Sequence, residues 1–161
     1  MHIREIEEKD NKIIEKIIKD SLELVQLNLP GTAYFDPYLG QLSHFYQTQP
    51  NAKYWVVVNE QDEAIGGVGI GPFGQHQKVA EIQKLYLAPE AQGKGLAKKL
   101  MEIALTFAEE YYDCCYLETF DALKAANTLY VKFGFEKRAE PLAASEHNAC
   151  DSWYMKKWDK H

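Results

Sequence analysis

Cysteine is scarce in this chain of 161 residues: only Cys114, Cys115 and Cys150. The number is odd and two of the three are adjacent, which argues against a disulfide framework and for a reducing compartment. Long apolar runs are missing as well. No stretch approaches the ~18 apolar residues of a membrane span. The charged opening MHIREIEEKDNK lacks the apolar segment of a secretory leader. The expectation is a cytoplasmic protein with no membrane partner. An excess of positive charge is also absent: 18 basic against 24 acidic residues give a net charge of −6. That balance does not suit non-specific nucleic-acid binding, and it is compatible with a cationic substrate such as an amine. Repeats, low-complexity segments and linkers are missing too.

What is present is an ordinary globular composition, 46% apolar and 12% aromatic, and a length that suggests one domain over residues 1–161. Ile3 to Ile6 reads as a short strand. From Asn11 to Leu29 apolar residues recur at helical spacing (Ile14, Ile17, Ile18, Leu22, Val25, Leu29) until Pro30-Gly31. GTAYFDPYLG reads as a loop leading into a short helix from about Tyr38 to Gln47. YWVVV and AIGGVGIG read as a hairpin around NEQDE, and Val79 to Leu87 as a further strand. A helix is expected over Gly93 to Tyr112, a strand over Cys115 to Thr119 and a helix from about Ala122 to Phe133, stopped by Gly134. FEKR and SWYMKKW complete the chain as strands. This order predicts an α+β fold with a mixed, mostly antiparallel central sheet.

The segment QGKGLAKKL carries an electrostatic puzzle. Lys94, Lys98 and Lys99 crowd the start of a helix whose far end holds Glu109 and Glu110, the reverse of what a helix dipole favours. A helix N-terminus exposes unpaired N–H groups, and Gly93 and Gly95 let an anion approach the backbone. Strand, glycine turn and helix start together suit a phosphate or pyrophosphate; the same residues also read as a solvated basic helix start. A P-loop is excluded, because Leu96 stands where its Lys is required. The literal G-x-G-x-x-G at Gly69, Gly71 and Gly74 contains Pro72 and precedes a strand, so it is not a dinucleotide fingerprint.

EIQKLYLAPEAQGKGLAKKL resembles the central region of the GCN5-related N-acetyltransferase (GNAT) superfamily. Its [QR]-x-x-G-x-[GA] signature is matched by Gln92, Gly95 and Ala97, with Gly93 at a commonly small position. NTLYVKFGFE then supplies the family's later landmarks: Asn127, Tyr130, Lys132, Gly134 and Phe135. The resemblance implies a three-layer α/β/α fold and an acetyl-CoA-dependent N-acetyltransferase acting on a primary amine by direct transfer. In it the backbone of Gln92, Gly93, Lys94, Gly95, Leu96 and Ala97 would hold the CoA pyrophosphate. Leu85, Tyr86 and Leu87 would pair with the pantetheine arm, Asn127 would contact that arm or hold the site, and Lys132 would reach the CoA phosphates. Tyr130 would protonate the departing thiolate. Its place beside Leu123, Ala126 and Phe133 on one helical face is equally that of a core aromatic.

Amine acetylation also needs a base. Glu81, at the start of the strand before the phosphate loop, is the first candidate and Glu118 the second; either is also an ordinary strand glutamate. Alternation puts Glu81, Gln83, Leu85 and Leu87 on one face unless a bulge intervenes. For the acceptor, the resemblance points to the segment between the first two helices. Tyr34, Phe35, Asp36 and Tyr38 would make an aromatic and acidic pocket for a small cation; each is also a plausible core or turn residue. Glu146, His147 and Asn148 fall in a second acceptor-side loop. No metal is expected: Cys114 and Cys115, adjacent on a strand, point to opposite faces and cannot chelate one ion. A Cys150–His147 nucleophile pair fits poorly with direct transfer. A homodimer remains open, as does a non-catalytic acyl-CoA-binding module that would need neither Tyr130 nor Glu81.

Overall fold

A computed structural model describes residues 1–142 and 147–158. Seven strands form one sheet in the order β1-β2-β3-β4-β5-β7-β6. They are β1 (His2–Glu5), β2 (Lys53–Val58), β3 (Ala64–Phe73), β4 (His76–Leu87), β5 (Cys114–Thr119), β6 (Glu136–Arg138) and β7 (Ser152–Lys157). Every neighbouring pair is antiparallel except β4 and β5, which run parallel. A parallel pair needs a crossover, and helix α3 (Leu96–Tyr111) provides it. The other helices are α1 (Asn11–Leu24), α2 (Leu42–Gln47) and α4 (Lys124–Lys132).

Alternation along β2 shows how the layers form. Tyr54 meets Tyr46 of α2, while its neighbour Trp55 meets Phe107 of α3. Successive strand residues point to opposite faces, so α2 and α3 cover opposite sides of the sheet. The expected helical stripe of α1 is its buried face: Ile14, Ile18 and Leu22 are at most 1% exposed. Leu100, Met101, Ala104 and Ala108 do the same for α3.

Helix ends differ from expectation for local reasons. Helix α1 stops at Leu24, because Gln26 adopts a left-handed φ of 60° and Leu27 N–H turns back to the Leu22 carbonyl. Leu24, Val25 and Leu29 are therefore exposed. Helix α3 starts at Leu96 rather than Gly93, capped by Gly95 at φ 74°. The segment before α2 is a 3-10 turn, Leu39–Gln41, so the short helix begins only at Leu42.

The register of β4 holds the main surprise. Gly67 and Gly69 of β3 face Tyr86 and Gln83 of β4. Two steps on one strand oppose three on the other, which is a β-bulge. Lys84 lies inside it with φ 50°, a conformation that costs a non-glycine residue about 1 kcal/mol or more. The bulge breaks the alternation expected for Glu81, Gln83, Leu85 and Leu87. Gln83 and its neighbour Lys84 both meet residues of the α2 side: Tyr46 in one case, Asp36 and Tyr38 in the other.

Two tyrosines hold the bulge. Tyr54 donates from its hydroxyl to the Lys84 carbonyl at 2.8 Å, and Tyr46 donates to Gln83 Oε1 at 2.6 Å. Both rings cross β3 where it has no side chains. A Cβ on Gly67 would fall 2.4 Å from the Tyr54 ring, and one on Gly69 would fall 2.5 Å from the Tyr46 oxygen. The glycine-rich strand is thus a track for these two rings.

Candidate active site

The ladder between β4 and β5 is short. It runs Val79↔Cys114, Ala80↔Cys115, Glu81↔Tyr116 and then ends. Beyond that point β5 stays with β7, while β4 continues to Leu87 with no strand of the described residues on its β5 side. A cavity of about 280 Å³ opens at this fork. Glu81, Lys84, Leu85 and Tyr86 from β4, Glu118 from β5, Tyr130 from α4, Tyr38, and His147 and Cys150 from the loop before β7 are among its lining residues.

Glu81 sits where the strands part. Burial pushes its carboxyl from the usual carboxylate range up to about 7. A hydrogen bond from Gln83 works against that rise, the negative charge of Glu118 adds to it, and His147 and Lys84 oppose it. The Gln83 bond, Nε2 to Glu81 Oε1, is 2.8 Å long. Since Tyr46 fixes the Gln83 amide, a relay of Tyr46, Gln83 and Glu81 orients the carboxylate. Glu118 accepts from the Tyr116 hydroxyl at 3.0 Å on the opposite wall. A carboxyl near neutrality suits proton transfer at physiological pH.

Tyr130 is 6% exposed and packs against Phe135 and Tyr154. It is at once a core aromatic and a cavity residue. Burial raises its phenol, and its hydroxyl has no hydrogen-bond partner among the described residues. Asn127 is fully engaged within the protein. Its Nδ2 donates to the Phe120 and Leu123 carbonyls at 2.9 and 2.7 Å, and its Oδ1 accepts from Tyr154 at 2.7 Å. It braces the β5–α4 turn and does not line the cavity. Lys132 is exposed in the last turn of α4, without a partner among the described residues.

The turn into α3 is open and uncapped. Gly93 and Gly95 have φ of 76° and 74°, and a Cβ on either would meet nothing within 4 Å. No side chain caps the helix, and its first turn holds no acid. Lys94, Lys98 and Lys99 are exposed, and none pairs with a carboxylate among the described residues. Gln92 Nε2 donates to the Leu87 carbonyl at 3.2 Å, tying the loop to the end of the unpaired strand. Open space above two left-handed glycines and uncapped N–H groups suits a pyrophosphate.

The expected acceptor segment divides. Tyr38 lines the cavity and stacks on Phe45 at 3.7 Å. Tyr34 faces outward, donating to Glu23 at 2.6 Å, and Phe35 is exposed; neither lines the cavity. Asp36 is partly buried, and its carboxylate is taken up by partners within the protein. Lys84 Nζ lies 2.7 Å from its Oδ2 and His147 Nε2 lies 3.0 Å from its Oδ1. Burial alone would raise the Asp36 carboxyl, and the two partners outweigh it and lower it. Burial alone would likewise lower the His147 imidazole, and the bond and charge of Asp36 outweigh it and raise it.

Lys84 escaped the sequence reading, because in a strand that also holds Lys78, Glu81 and Gln83 one more polar residue carries no mark. Cys150 lines the cavity with a thiol that burial pushes up to about 12, far from a thiolate nucleophile. Glu146 lies outside the described residues. Among those described, no cluster of His, Cys, Asp and Glu could hold a metal ion, and no helix is long and apolar enough to cross a membrane.

Comparison with known proteins bears on this geometry. Residues 20–135 match the acetyltransferase (GNAT) family. An uncharacterized N-acetyltransferase of Escherichia coli, YjgM, is 39% identical over 152 residues, spanning 92% of this chain and 90% of its own. A GNAT-family acetyltransferase from Staphylococcus aureus superposes with a TM-score of 0.79 at 20% identity, over 97% of this chain and 98% of its own. The structure of yncA from Salmonella typhimurium, solved with its cofactor acetyl-CoA, superposes with a TM-score of 0.77 at 19% identity, over 100% and 95%. A forked sheet, a glycine cradle at a helix start and a sequence match over most of the chain agree: the protein is an acetyltransferase belonging to the GNAT family.

Proposed function

We propose that the protein transfers an acetyl group from acetyl-CoA to the primary amine of a small molecule, directly, in a ternary complex. The observation that carries this reading is the position of Glu81: a carboxyl held near neutrality at the point where β4 loses its partner strand. The fit to the donor is supported by the open glycine cradle of Gln92 to Ala97 and by the unpaired edge of β4. Acetyl-CoA supplies the activated acetyl thioester. Backbone N–H groups at the cradle bind the pyrophosphate, and the edge of Leu85 to Leu87 takes the pantetheine arm as an added strand.

The chain's own residues then manage two protons. The acceptor enters as an ammonium and must lose a proton before its nitrogen can attack. Glu81 takes that proton at its carboxylate, while Gln83 holds Oε1 in place. As the C–N bond forms and the C–S bond breaks, Tyr130 gives its hydroxyl proton to the sulfur. The attacking nitrogen sheds its second proton as the amide forms; by way of solvent that proton restores the phenol, and Glu81 releases the first to solvent. Tyr130 suits this role because its hydroxyl has no competing partner among the described residues and burial keeps it protonated. Glu118, hydrogen-bonded to Tyr116, tunes Glu81 by its charge and does not share the proton transfer.

Thiol release from acetyl-CoA, followed against a panel of primary amines, tests the proposal. A productive acceptor should release thiol in step with N-acetyl product. Absence of release with every amine, together with a melting temperature unmoved by millimolar CoA or acetyl-CoA, would sink it.

A further inference from the structure

Three charged side chains from distant segments, Lys84 buried and the other two partly buried, meet at the cavity. Asp36 lies between α1 and α2, Lys84 in the β4 bulge and His147 before β7. The Lys84 side chain is 3% exposed, that of Asp36 11% and that of His147 21%. Lys84 and His147 both line the cavity. A buried Lys–Asp pair is neutral and needs no third member; taking charges out of water costs several kcal/mol per ion, and an added cation increases that cost. Here one carboxylate serves two cationic groups, and the imidazole is raised toward its charged form. With His147 protonated the cluster carries one positive charge in excess. Lys84 also has donor capacity to spare. Its ammonium has three N–H donors: one reaches Asp36, one reaches the Tyr38 hydroxyl at 3.3 Å, and the third has no acceptor among the described residues.

The same cavity also carries the opposite sign, in Glu81 and Glu118 at the fork. Glu81 and Lys84 are three residues apart, roughly 10 Å along a strand, and both side chains border one cavity. Their charges are felt across it: Lys84 and His147 both act on Glu81. A cavity that is acidic at the fork and basic further along the same strand complements a short dipolar ligand. A polyamine would bring a second cation against Lys84 and His147, a repulsion that works as specificity against it.

We infer that the acceptor carries an anionic group close to the amine, a carboxylate in the simplest case: an α-amino acid or a similar short zwitterion, its acid held by Lys84 and His147 and its amine delivered to Glu81. This rests on the acetyl-transfer reading above. It replaces the small cation suggested by overall charge, because the Asp36 carboxylate expected to receive that cation is occupied from within the protein.

Initial rates with the twenty L-amino acids, their amides, the amines left by decarboxylation, and spermidine test the assignment. The amide amines deprotonate more readily than those of the parent acids, so preference for the acid cannot come from reactivity. The wild-type protein should favour its best acid over the matching amide by about 100-fold in kcat/KM, in line with buried polar groups left unpaired by the wrong ligand. Lys84→Met should bring that ratio to within about threefold, chiefly through KM for the acceptor, with KM for acetyl-CoA unchanged. His147→Gln should act in the same direction by about tenfold. If Lys84→Met fails to fold, Asp36→Asn combined with Lys84→Met removes both charges at once and should give the same collapse. Folding is checked by the rise in melting temperature on adding acetyl-CoA. Thiol release confined to amides, simple amines or spermidine overturns the inference and leaves acetyl transfer intact, as does an equal loss for acids and amides in Lys84→Met. An acetyl-CoA-dependent rise in melting temperature with no release to any acceptor overturns both.

Discussion

At the start of α3 the chain offers backbone: two left-handed glycines, uncapped amides and lysines that nothing among the described residues neutralises. In the cavity it offers side chains: Asp36, bonded to both Lys84 and His147. The first region is open and contiguous in sequence. The second is closed, and its members are up to 111 residues apart. The difference fits their tasks. A cradle of amides recognises any diphosphate of the right shape, and six neighbouring residues suffice to build it. Recognition of one acceptor among many amines takes fixed charges at fixed distances, which only tertiary structure supplies.

The largest effect should come from the proposed base, which belongs to neither region. Glu81→Gln should lower kcat/KM by about 10²- to 10⁴-fold while leaving acetyl-CoA binding unchanged. The same change should stabilise the fold. The folded-state pKa of Glu81, about 7, lies above the ordinary 4.5. The carboxyl therefore costs stability once the pH exceeds the unfolded value, and the full cost is reached above the folded one. Removing it should raise the melting temperature at pH 8, by a free energy of up to roughly 3 kcal/mol, and leave it unchanged at pH 4. A variant that is inactive and no more stable at pH 8 would remove Glu81 from the base role.

Breaking the open region should be milder and confined to the donor. Gly95→Ala places a Cβ on a backbone at φ 74°, at a cost of about 1–2 kcal/mol. KM for acetyl-CoA should rise about tenfold, and the order of preference among acceptors should not change. Raising the salt concentration should likewise raise that KM, because Lys94, Lys98 and Lys99 are exposed and therefore screened. A change in acceptor preference in Gly95→Ala would mean that the two regions are not separable.

The smallest effect sharpens the boundary. The kcat/KM profile should rise through an apparent pKa near 7, since Glu81 must be ionised to accept a proton. Gln83→Leu removes a hydrogen bond that lowers this pKa. The rising limb should then shift upward by less than about one pH unit, with little loss of rate on the alkaline plateau. A profile that does not move would assign the limb to a group other than Glu81.

The same contrast explains what could be read in advance. The α3 cradle was legible because its signal is local: glycine spacing, lysines at a helix start and a preceding strand. The mixed, mostly antiparallel sheet was legible from the order of elements and the family resemblance; the strand order and the fork were not. Glu81 was legible by position, although its raised pKa required the burial and the neighbouring Glu118 that only the fold brings. Asp36 was recognised as a site residue and given the wrong partner. The residues that neutralise it, Lys84 and His147, are distant in sequence, and a lone Asp before Pro37 carries no mark of either. Tyr34 and Phe35 looked equivalent to Tyr38, yet the 3-10 turn at Ala33–Phe35 sends the first two outward. The bulge left only an indirect trace, the run of glycines in β3, whose meaning depends on two tyrosines from other elements.

That bulge has a consequence for how such a site can be gained or lost. Point substitutions change what a position carries but not the count of residues between Gln83 and Tyr86. Only an insertion or deletion does that. Loss of one residue at Lys84 would restore strict alternation along β4 and a regular ladder with β3. The sheet would be tidier, Gln83 would no longer share its side with the following residue, and the cleft would lose its inward cation. The geometry of this wall is thus protected from gradual drift and exposed to a single slip in length.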